Sequence, residues 1–179
     1  MGLVEPFNPE LVNPASIDVT LGSTVLVEAE PSAWSNFSDD ANIYRGSQLI
    51  SVVDGTRREG RWMEVDITEE EYIMTPGQFV LAATAELIRV PTNLEAVFAL
   101  KSSRGREGWN HMMAGYIDPG FVGRVTLELK NENQYHYLTL KQGMRIGQLR
   151  FAKLDAIPMR SYASTGRYYG AEGVQPSKG

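Results

Sequence analysis

The sequence predicts an all-β protein, and three observations support that fold class. Apolar residues recur mostly at every second position, which is the spacing of a strand with one buried face. Helical periodicity is scarce. The apolar runs are short, and residues that favour turns, namely Gly, Pro, Asn and Asp, separate them. Many short strands joined by turns are typical of a β-barrel or a jelly-roll-like sandwich.

The predicted strands follow the chain from "SIDVTLGSTVLVEA", residues 16–29, which predicts two strands that pivot at Gly22. Turns are expected at "TPG", residues 75–77, and at "KQG", residues 141–143, each just before a strand. The other strands are predicted, in order, at "QLISVV", "WMEVDI", "QFVLAATAELIRV", "LEAVFAL", "RVTLELKN", "HYLTL" and "MRIGQLRFAKL".

Two internal segments and the C-terminus depart from this strand pattern. Residues 31–47 are polar and irregular, which favours a surface loop. "SSRGREG", residues 102–108, predicts one short helix whose opening N–H groups and arginines suit a phosphate. The end of the chain is rich in Gly, Ser and Tyr. We therefore expect a single β domain over residues 1–160 and a flexible tail over residues 161–179.

The composition excludes several classes of protein. The formal net charge of -5 argues against a surface that binds nucleic acid or an anionic membrane. No apolar run is long enough to span a bilayer, and residues 1–14 do not resemble a signal peptide. The absence of Cys excludes disulfides, thiolate nucleophiles and thiolate metal sites. We expect a cytoplasmic protein with neither a nucleic-acid nor a membrane partner.

The segment "IDPGFVGRVTLEL", residues 117–129, contains the candidate catalytic residue. Its apolar residues alternate with polar ones, so that Glu128 falls on the polar face of a strand. That pattern alone favours a solvated Glu128, and Asp118 in "DPG" is typical of a turn. His111 and His136 are too few and too far apart to predict a metal site, and each is interpreted as structural or exposed.

Taken together, five segments resemble the dCTP deaminase and dUTPase superfamily, and its dCTP deaminase branch most closely. They are, in order, "NPASIDVTLG", "KSSRGREG", "AGYIDPGFVGRVTLEL", "QGMRIGQLRF" and the tail "GRYYGAEGVQPS". The resemblance covers most of residues 6–176, and residues 31–70 are the least similar.

The resemblance implies a distorted jelly-roll subunit that forms a homotrimer, with active sites between subunits and the tail closing over a deoxynucleoside triphosphate. Glu128 matches the catalytic carboxylate of the family. The other matches are substrate contacts. Ser102, Ser103 and Arg106 match contacts to the phosphates or the reaction centre, Asp118 matches a contact to the sugar and base, and Thr126 and Leu127 match the strand along which the pyrimidine lies. Tyr162 and Arg167 match contacts to the triphosphate, and Ala114 is a further substrate-binding residue. Lys101 and Arg104 add further cations beside that group.

The chemistry of the residues agrees with a reaction that does not use zinc. Zinc-dependent deaminases hold their metal with His and Cys, and this chain has no Cys and no H-x-E motif. Glu128 must then act as the general base, a role that contributes roughly 10²- to 10⁴-fold to the rate. Mg²⁺ is expected to arrive on the substrate phosphates, with no direct protein ligand.

The sequence also departs from the family pattern near the base and in the tail. The span from Arg106 to Asp118 is one residue shorter, and Met113 stands where Thr is usual. In the tail, Tyr169 and Ala171 stand where Gln is expected. These differences affect the selection of the base and the contacts of the lid.

Four functions are consistent with these residues. The first is a dCTP deaminase that gives dUTP and ammonia. The second is a bifunctional enzyme that carries dCTP through to dUMP and pyrophosphate, which the Gly115 after Ala114 favours. The third is a plain dUTPase, and the fourth is a catalytically silent, regulatory nucleotide-binding trimer. The sequence leaves open whether dUTP is also a substrate, whether dTTP inhibits and whether the chain is encoded by a virus.

Overall fold

The computed structural model describes residues 2–29, 43–50, 55–112 and 115–179, which form a nearly all-β fold. The helical elements are short: a 3-10 helix at Pro9–Leu11, α1 at Ser102–Arg106 and α2 at Tyr162–Thr165. The strands are β1 (Val4–Glu5), β2 (Val12–Asn13), β3 (Ser16–Glu28), β4 (Ile43–Ile50), β5 (Arg57–Asp66), β6 (Tyr72–Met74), β7 (Phe79–Thr84), β8 (Leu87–Arg89), β9 (Leu94–Leu100), β10 (Trp109–Asn110), β11 (Tyr116–Ile117), β12 (Val122–Gly123), β13 (Thr126–Asn131), β14 (Leu138–Leu140) and β15 (Arg145–Lys153).

Most strands belong to one curled antiparallel sheet, which confirms the all-β prediction. Its main path runs β10-β13-β7-β3-β15-β9-β11, while β2 and β5 pair with β3, and β4 pairs with β5. Two smaller sheets, β1-β8-β12 and β14-β6, complete the described part of the fold. No helix in the described ranges is long and apolar enough to cross a membrane.

The prediction of two strands that pivot at Gly22 is wrong, because β3 is one continuous strand of 13 residues. Its register with β7 shifts between Leu21 and Val25, so that Gly22 lies in a bulge and not in a turn. A bulge bends a strand without ending it. The bend allows β3 to pair with β15 before the shift and with β5 after it.

Other predicted boundaries also change. The run at 78–90 divides into β7 and β8, because Thr84 turns the chain by donating its hydroxyl to the Glu86 carbonyl. Residues 43–47, predicted as loop, begin β4, while residues 31–42 lie outside the described ranges. The short helix at α1 is confirmed, and the two predicted turns end in glycines with positive φ, Gly77 and Gly143.

The sheet buries apolar side chains on both of its faces. The larger core contains Leu127 and Leu129 of β13, whose burial alternates with the more exposed Thr126, Glu128 and Lys130. On the opposite, outer face, a second cluster is made of Leu26, Trp62, Leu81, Ala83 and Val174. Glu128 therefore lies on a sheet face that is itself partly apolar.

Candidate active site

Glu128 lies in a row of side chains that crosses the outer face of the sheet. It is directly opposite Leu81 of β7, and Leu81 is directly opposite Leu26 of β3. Residues directly opposite in an antiparallel pair project from the same face. Glu128 thus has an apolar neighbour across the strand, and its side chain is only 29% exposed.

This burial changes the titration of Glu128. Loss of water around the carboxyl raises its pKa. Its Oε2 atom has no hydrogen-bond partner among the described residues. A half-buried carboxyl without a partner costs stability. Such groups are often functional.

His111 is the polar side chain beside Glu128, and the sequence-based interpretation missed this contact. Its Nδ1 lies 3.9 Å from Glu128 Oε2, and its ring packs edge-on against Phe98 with 4.4 Å between the centroids. Burial lowers the pKa of His111 to about 4, and the nearby backbone of Glu128 only partly opposes this effect. His111 is therefore neutral near pH 7 and does not form an ion pair with Glu128 there.

A cavity of about 430 Å³ opens in front of Glu128. Its walls bring together four of the predicted site residues, Glu128, Asp118, Thr126 and Tyr162, with a cation that the sequence analysis did not select, Arg124. Aromatic and tail side chains complete the lining, among them Trp62, Phe79, Tyr116, Phe121, Tyr168, Gln175 and Ser177. Because aromatic and apolar side chains surround a few polar ones, the cavity suits a planar ligand that carries polar groups.

The other predicted residues lie elsewhere in this subunit. Leu127 is fully buried in the larger core and does not line the cavity. Ala114 lies outside the described residues. Arg167 does not line the cavity. The predicted residues at or beside α1, called the α1 group, do not line it either; they are Lys101, Ser102, Ser103, Arg104 and Arg106.

The α1 group forms a separate polar surface. Lys101 Nζ is 2.5 Å from Asp18 Oδ2, and Arg104 pairs with Glu107 at 2.6 Å. Ser102, Ser103 and Arg106 are exposed, and no ion pair of Arg106 is found in the described part of the chain. This surface has hydrogen-bond donors for an anion, but it does not line the cavity that contains Glu128 and Asp118.

The C-terminal segment lies along the cavity. Arg124 N–H donates to the Ala171 carbonyl at 2.8 Å, and Gln175 N–H donates to Thr126 Oγ1 at 3.1 Å. Val174 is 4% exposed and packs in the outer cluster with Leu81. The segment is thus held on the sheet by one apolar anchor and by hydrogen bonds. Its flexibility in isolation stays a prediction.

The anchor can be tested by replacing Val174 with Asp. A carboxylate cannot be buried unpaired in an apolar cluster without a large cost, so we expect the tail to detach. Trypsin should then cleave after Arg167 at least about tenfold faster, measured by mass spectrometry over time. Val12→Asp, at a site that is 52% exposed, is the matched control and should leave the rate unchanged. Equal cleavage of Val174→Asp and the wild type would show that Val174 does not hold the tail.

Gly120 of the "DPG" turn brings the tail close to Asp118. Its φ of 88° is in the left-handed region, and a Cβ there would overlap the Ser161 hydroxyl. Tyr162, the residue after Ser161, donates its N–H to the Pro119 carbonyl at 2.9 Å. Its ring centroid lies 5.5 Å from that of Phe121. The turn therefore sets the position of both Asp118 and Tyr162.

Comparisons with known proteins show the family to which the chain belongs. A family model described as dCTP deaminase-like matches residues 2–154. A protein of Aquifex aeolicus (strain VF5) named "dCTP deaminase, dUMP-forming" is 38% identical over 98% of this chain and 84% of its own length. A protein of Corynebacterium efficiens with the same name is 35% identical over 98% of this chain and 85% of its own.

A solved structure supports the fold. The 2'-deoxycytidine 5'-triphosphate deaminase from Agrobacterium tumefaciens matches with a TM-score of 0.56 at 22% identity, over 83% of this chain and 43% of that chain. The fold, the site and these relatives define a β-sheet protein of the dCTP deaminase and dUTPase superfamily. The chain belongs to its dCTP deaminase-like family.

Proposed function

We propose that this protein is an enzyme that converts dCTP and water to dUMP, ammonia and pyrophosphate. The observation that carries the proposal is one cavity with two carboxylates in different surroundings. Glu128 is half-buried with a raised pKa, while Asp118 is exposed. The names of the relatives support dUMP as the end product. The bifunctional alternative from the sequence therefore replaces the first expectation, in which dUTP was the end product.

Glu128 is the general base of the deamination step. Its carboxylate takes a proton from a water molecule, and the water oxygen attacks C4 of cytosine. Glu128 passes this proton to ring N3, which leaves a hydroxyl and an amino group on C4. It then takes the proton of the new C4 hydroxyl and gives it to the amino group, so that the C4=O bond forms, the C4–N4 bond breaks, ammonia leaves and Glu128 is ionised again. A pKa raised toward neutrality suits a group that both accepts and returns a proton. The apolar row with Leu81 keeps competing water away.

The free backbone edge of β13 supports a pyrimidine substrate. β7 pairs with one edge of β13 from Thr126 to Lys130. In the described ranges, β10 pairs with the other edge only at Lys130 and Asn131. Unpaired N–H and C=O groups beside Glu128 can then bond N3, N4 and O2 of cytosine. Leu127 can therefore contact the pyrimidine through its backbone, although its side chain is buried.

Asp118 acts in the second step, in which the bond between the α-phosphorus and the oxygen that bridges it to the β-phosphate is hydrolysed. It orients a water for attack on the α-phosphorus, the bond to the bridging oxygen breaks, and pyrophosphate leaves dUMP behind. Mg²⁺ on the phosphates would neutralise part of their charge. Asp118 and Glu128 are the two carboxylates that line the cavity, so the phosphate oxygens would supply most of the Mg²⁺ ligands.

Replacing Asp118 with Asn should separate the two steps. We expect ammonia release to continue while dUMP formation falls by about 10²-fold or more, so that dUTP accumulates. An ammonia assay and chromatography of the nucleotides measure both products in one reaction. Asp155→Asn, an exposed carboxylate outside the cavity, is the matched control and should still yield dUMP. If ammonia and dUMP fall together, Asp118 has no separate role in the second step.

The position of the α1 group supports a site shared between subunits. The cavity holds Glu128 and Asp118 but none of the α1 group, and the substrate carries about four negative charges. A second copy in a homotrimer brings Ser102, Ser103 and Arg106 to the phosphates. The α1 residues that are already paired, Lys101 and Arg104, orient that surface.

The function is tested by incubating the purified protein separately with dCTP and with dUTP, each with Mg²⁺. Ammonia and dUMP from dCTP are expected. Accumulation of dUTP would support a deaminase that stops after the first step, and dUMP from dUTP alone would support a plain dUTPase. Binding of both nucleotides without turnover would support a silent regulatory trimer and would contradict the enzymatic proposal. Adding dTTP to the dCTP reaction tests for inhibition.

A further inference from the structure

Arg124 is the one cation that lines the cavity of Glu128 and Asp118 in the described part of the chain. Its side chain makes a single long hydrogen bond, from Nη1 to the Thr84 carbonyl at 3.4 Å. No carboxylate lies within ion-pair distance of it among the described residues. A guanidinium has five N–H donors, so that most of the capacity of Arg124 is unused.

Arg124 lies at the opposite end of the site from Glu128. Arg124, Thr126 and Glu128 alternate with the buried Val125 and Leu127, so all three project from one face. The rise of an extended chain places the Cα atoms of Arg124 and Glu128 about 13 Å apart. In a cytosine nucleotide, the reacting C4 and the phosphates are also at opposite ends of the molecule.

The tail brings charged residues of both signs to this end: the cations Arg167 and Lys178, and the carboxylate of Glu172, which lines a neighbouring cavity together with Arg124. The backbone N–H of Arg124 bonds the Ala171 carbonyl, three residues after Tyr168, which lines the cavity. Lys178 Nζ lies 5.1 Å above the Tyr168 ring and also donates to the Arg167 carbonyl at 3.0 Å. Arg167 and Lys178 therefore lie beside the part of the tail that is bonded to Arg124.

We propose that Arg124 is a substrate-binding residue that pairs with a phosphate oxygen of the nucleotide bound in the same subunit. The inference deepens the proposed function and rests on it. An anion matches the unused charge of Arg124 better than a neutral carbonyl does, and a guanidinium can bond a phosphate with two N–H groups. The cations of α1 then act on the same triphosphate from the neighbouring subunit.

The test compares two ligands on four proteins by calorimetric titration: dCTP with Mg²⁺, and deoxycytidine, which has no phosphate. Titrations of the catalytically impaired Glu128→Gln background avoid turnover. In that background, Arg124→Gln should raise the Kd for dCTP by about 10- to 100-fold and leave the Kd for deoxycytidine within about twofold. Arg124→Lys, which keeps the charge, should recover part of the loss and shows that the position tolerates substitution.

Lys130→Gln is the matched control, because Lys130 lies on the same face beyond Glu128 and pairs with Glu132 at 3.1 Å. It should leave both dissociation constants unchanged. Equal losses for dCTP and deoxycytidine in Arg124→Gln would overturn the proposal in favour of a base contact, and no loss for either would overturn it outright. Failure of the proposed function is a different result, since the wild type would then release no ammonia while these binding differences could still be measured.

Discussion

Replacing Glu128 with Gln is expected to abolish ammonia release from dCTP and to leave the subunit folded. Gln keeps the shape and the hydrogen-bonding capacity of the side chain but cannot take a proton from water. The loss of a general base costs about 10²- to 10⁴-fold in rate. Ammonia release under saturating dCTP measures the effect, and circular dichroism and thermal unfolding check the fold.

The structure also predicts the sign of an accompanying change in stability. The folded state raises the pKa of Glu128 and so binds its proton more tightly than the unfolded chain does. The ionised carboxylate therefore costs stability above its unfolded pKa, and Gln removes that cost at neutral pH. Glu128→Gln should be at least as stable as the wild type at pH 7.

Glu132→Gln is the control for this substitution, since Glu132 directly follows β13 and is exposed. It should retain the wild-type rate of deamination. If Glu128→Gln still released ammonia at the wild-type rate, the role assigned to Glu128 would be wrong. If both variants lost activity, the cause would be a disturbance at the end of β13 and not the loss of the Glu128 carboxylate.

Two inactive variants are expected to restore activity when they are assembled together. Glu128→Gln removes the base of each site, and Arg106→Ala removes a phosphate donor that the proposed trimer supplies from the neighbouring subunit. In a randomly mixed trimer, about a quarter of the sites contain both native residues. Co-expression of the two variants with different tags, or refolding of a mixture, should therefore give about a quarter of the wild-type rate.

The mixing experiment separates a shared site from a site within one subunit. The single variants, treated in the same way, define the background. A mixture of Arg106→Ala and Ser103→Ala is the matched control, because both residues belong to α1 of one subunit, so that no site receives the two native residues together and ammonia release should not recover. Recovery limited to the sum of the single variants would contradict the shared site, as would a purified protein with the mass of a monomer.

The sequence predicted the strand pattern well, because burial on one face leaves a period of two that is visible in each run. The bulge in β3 was not visible, since Gly22 in a strand and Gly22 in a turn have the same sequence signal, and only the paired strands distinguish them. The second half of β4 was predicted within "QLISVV", while its first half was assigned to the loop because Arg45, Gly46 and Ser47 interrupt the apolar pattern.

Only part of the candidate site could be predicted, because some of its residues belong to a recognisable segment and the fold alone brings the others to it. Asp118 and Glu128 belong to one short segment that carries a strong resemblance, so both could be identified. His111 was missed because β10 is only two residues long, and its pairing with β13 comes from the fold. Arg124 and Val174 belong to no motif. Arg124 becomes part of the site only because the tail folds across β13, where Val174 anchors it.

A single-turnover experiment measures both products of the proposed reaction in one set of samples. Enzyme in excess over dCTP is mixed with Mg²⁺, quenched over time, and assayed for ammonia, dUTP and dUMP from the same samples. We expect one ammonia and one dUMP for each dCTP consumed, with dUTP present only as a transient that is gone when the reaction ends. Consumption of dCTP without ammonia, or release of dUTP as the end product, would contradict the proposed reaction.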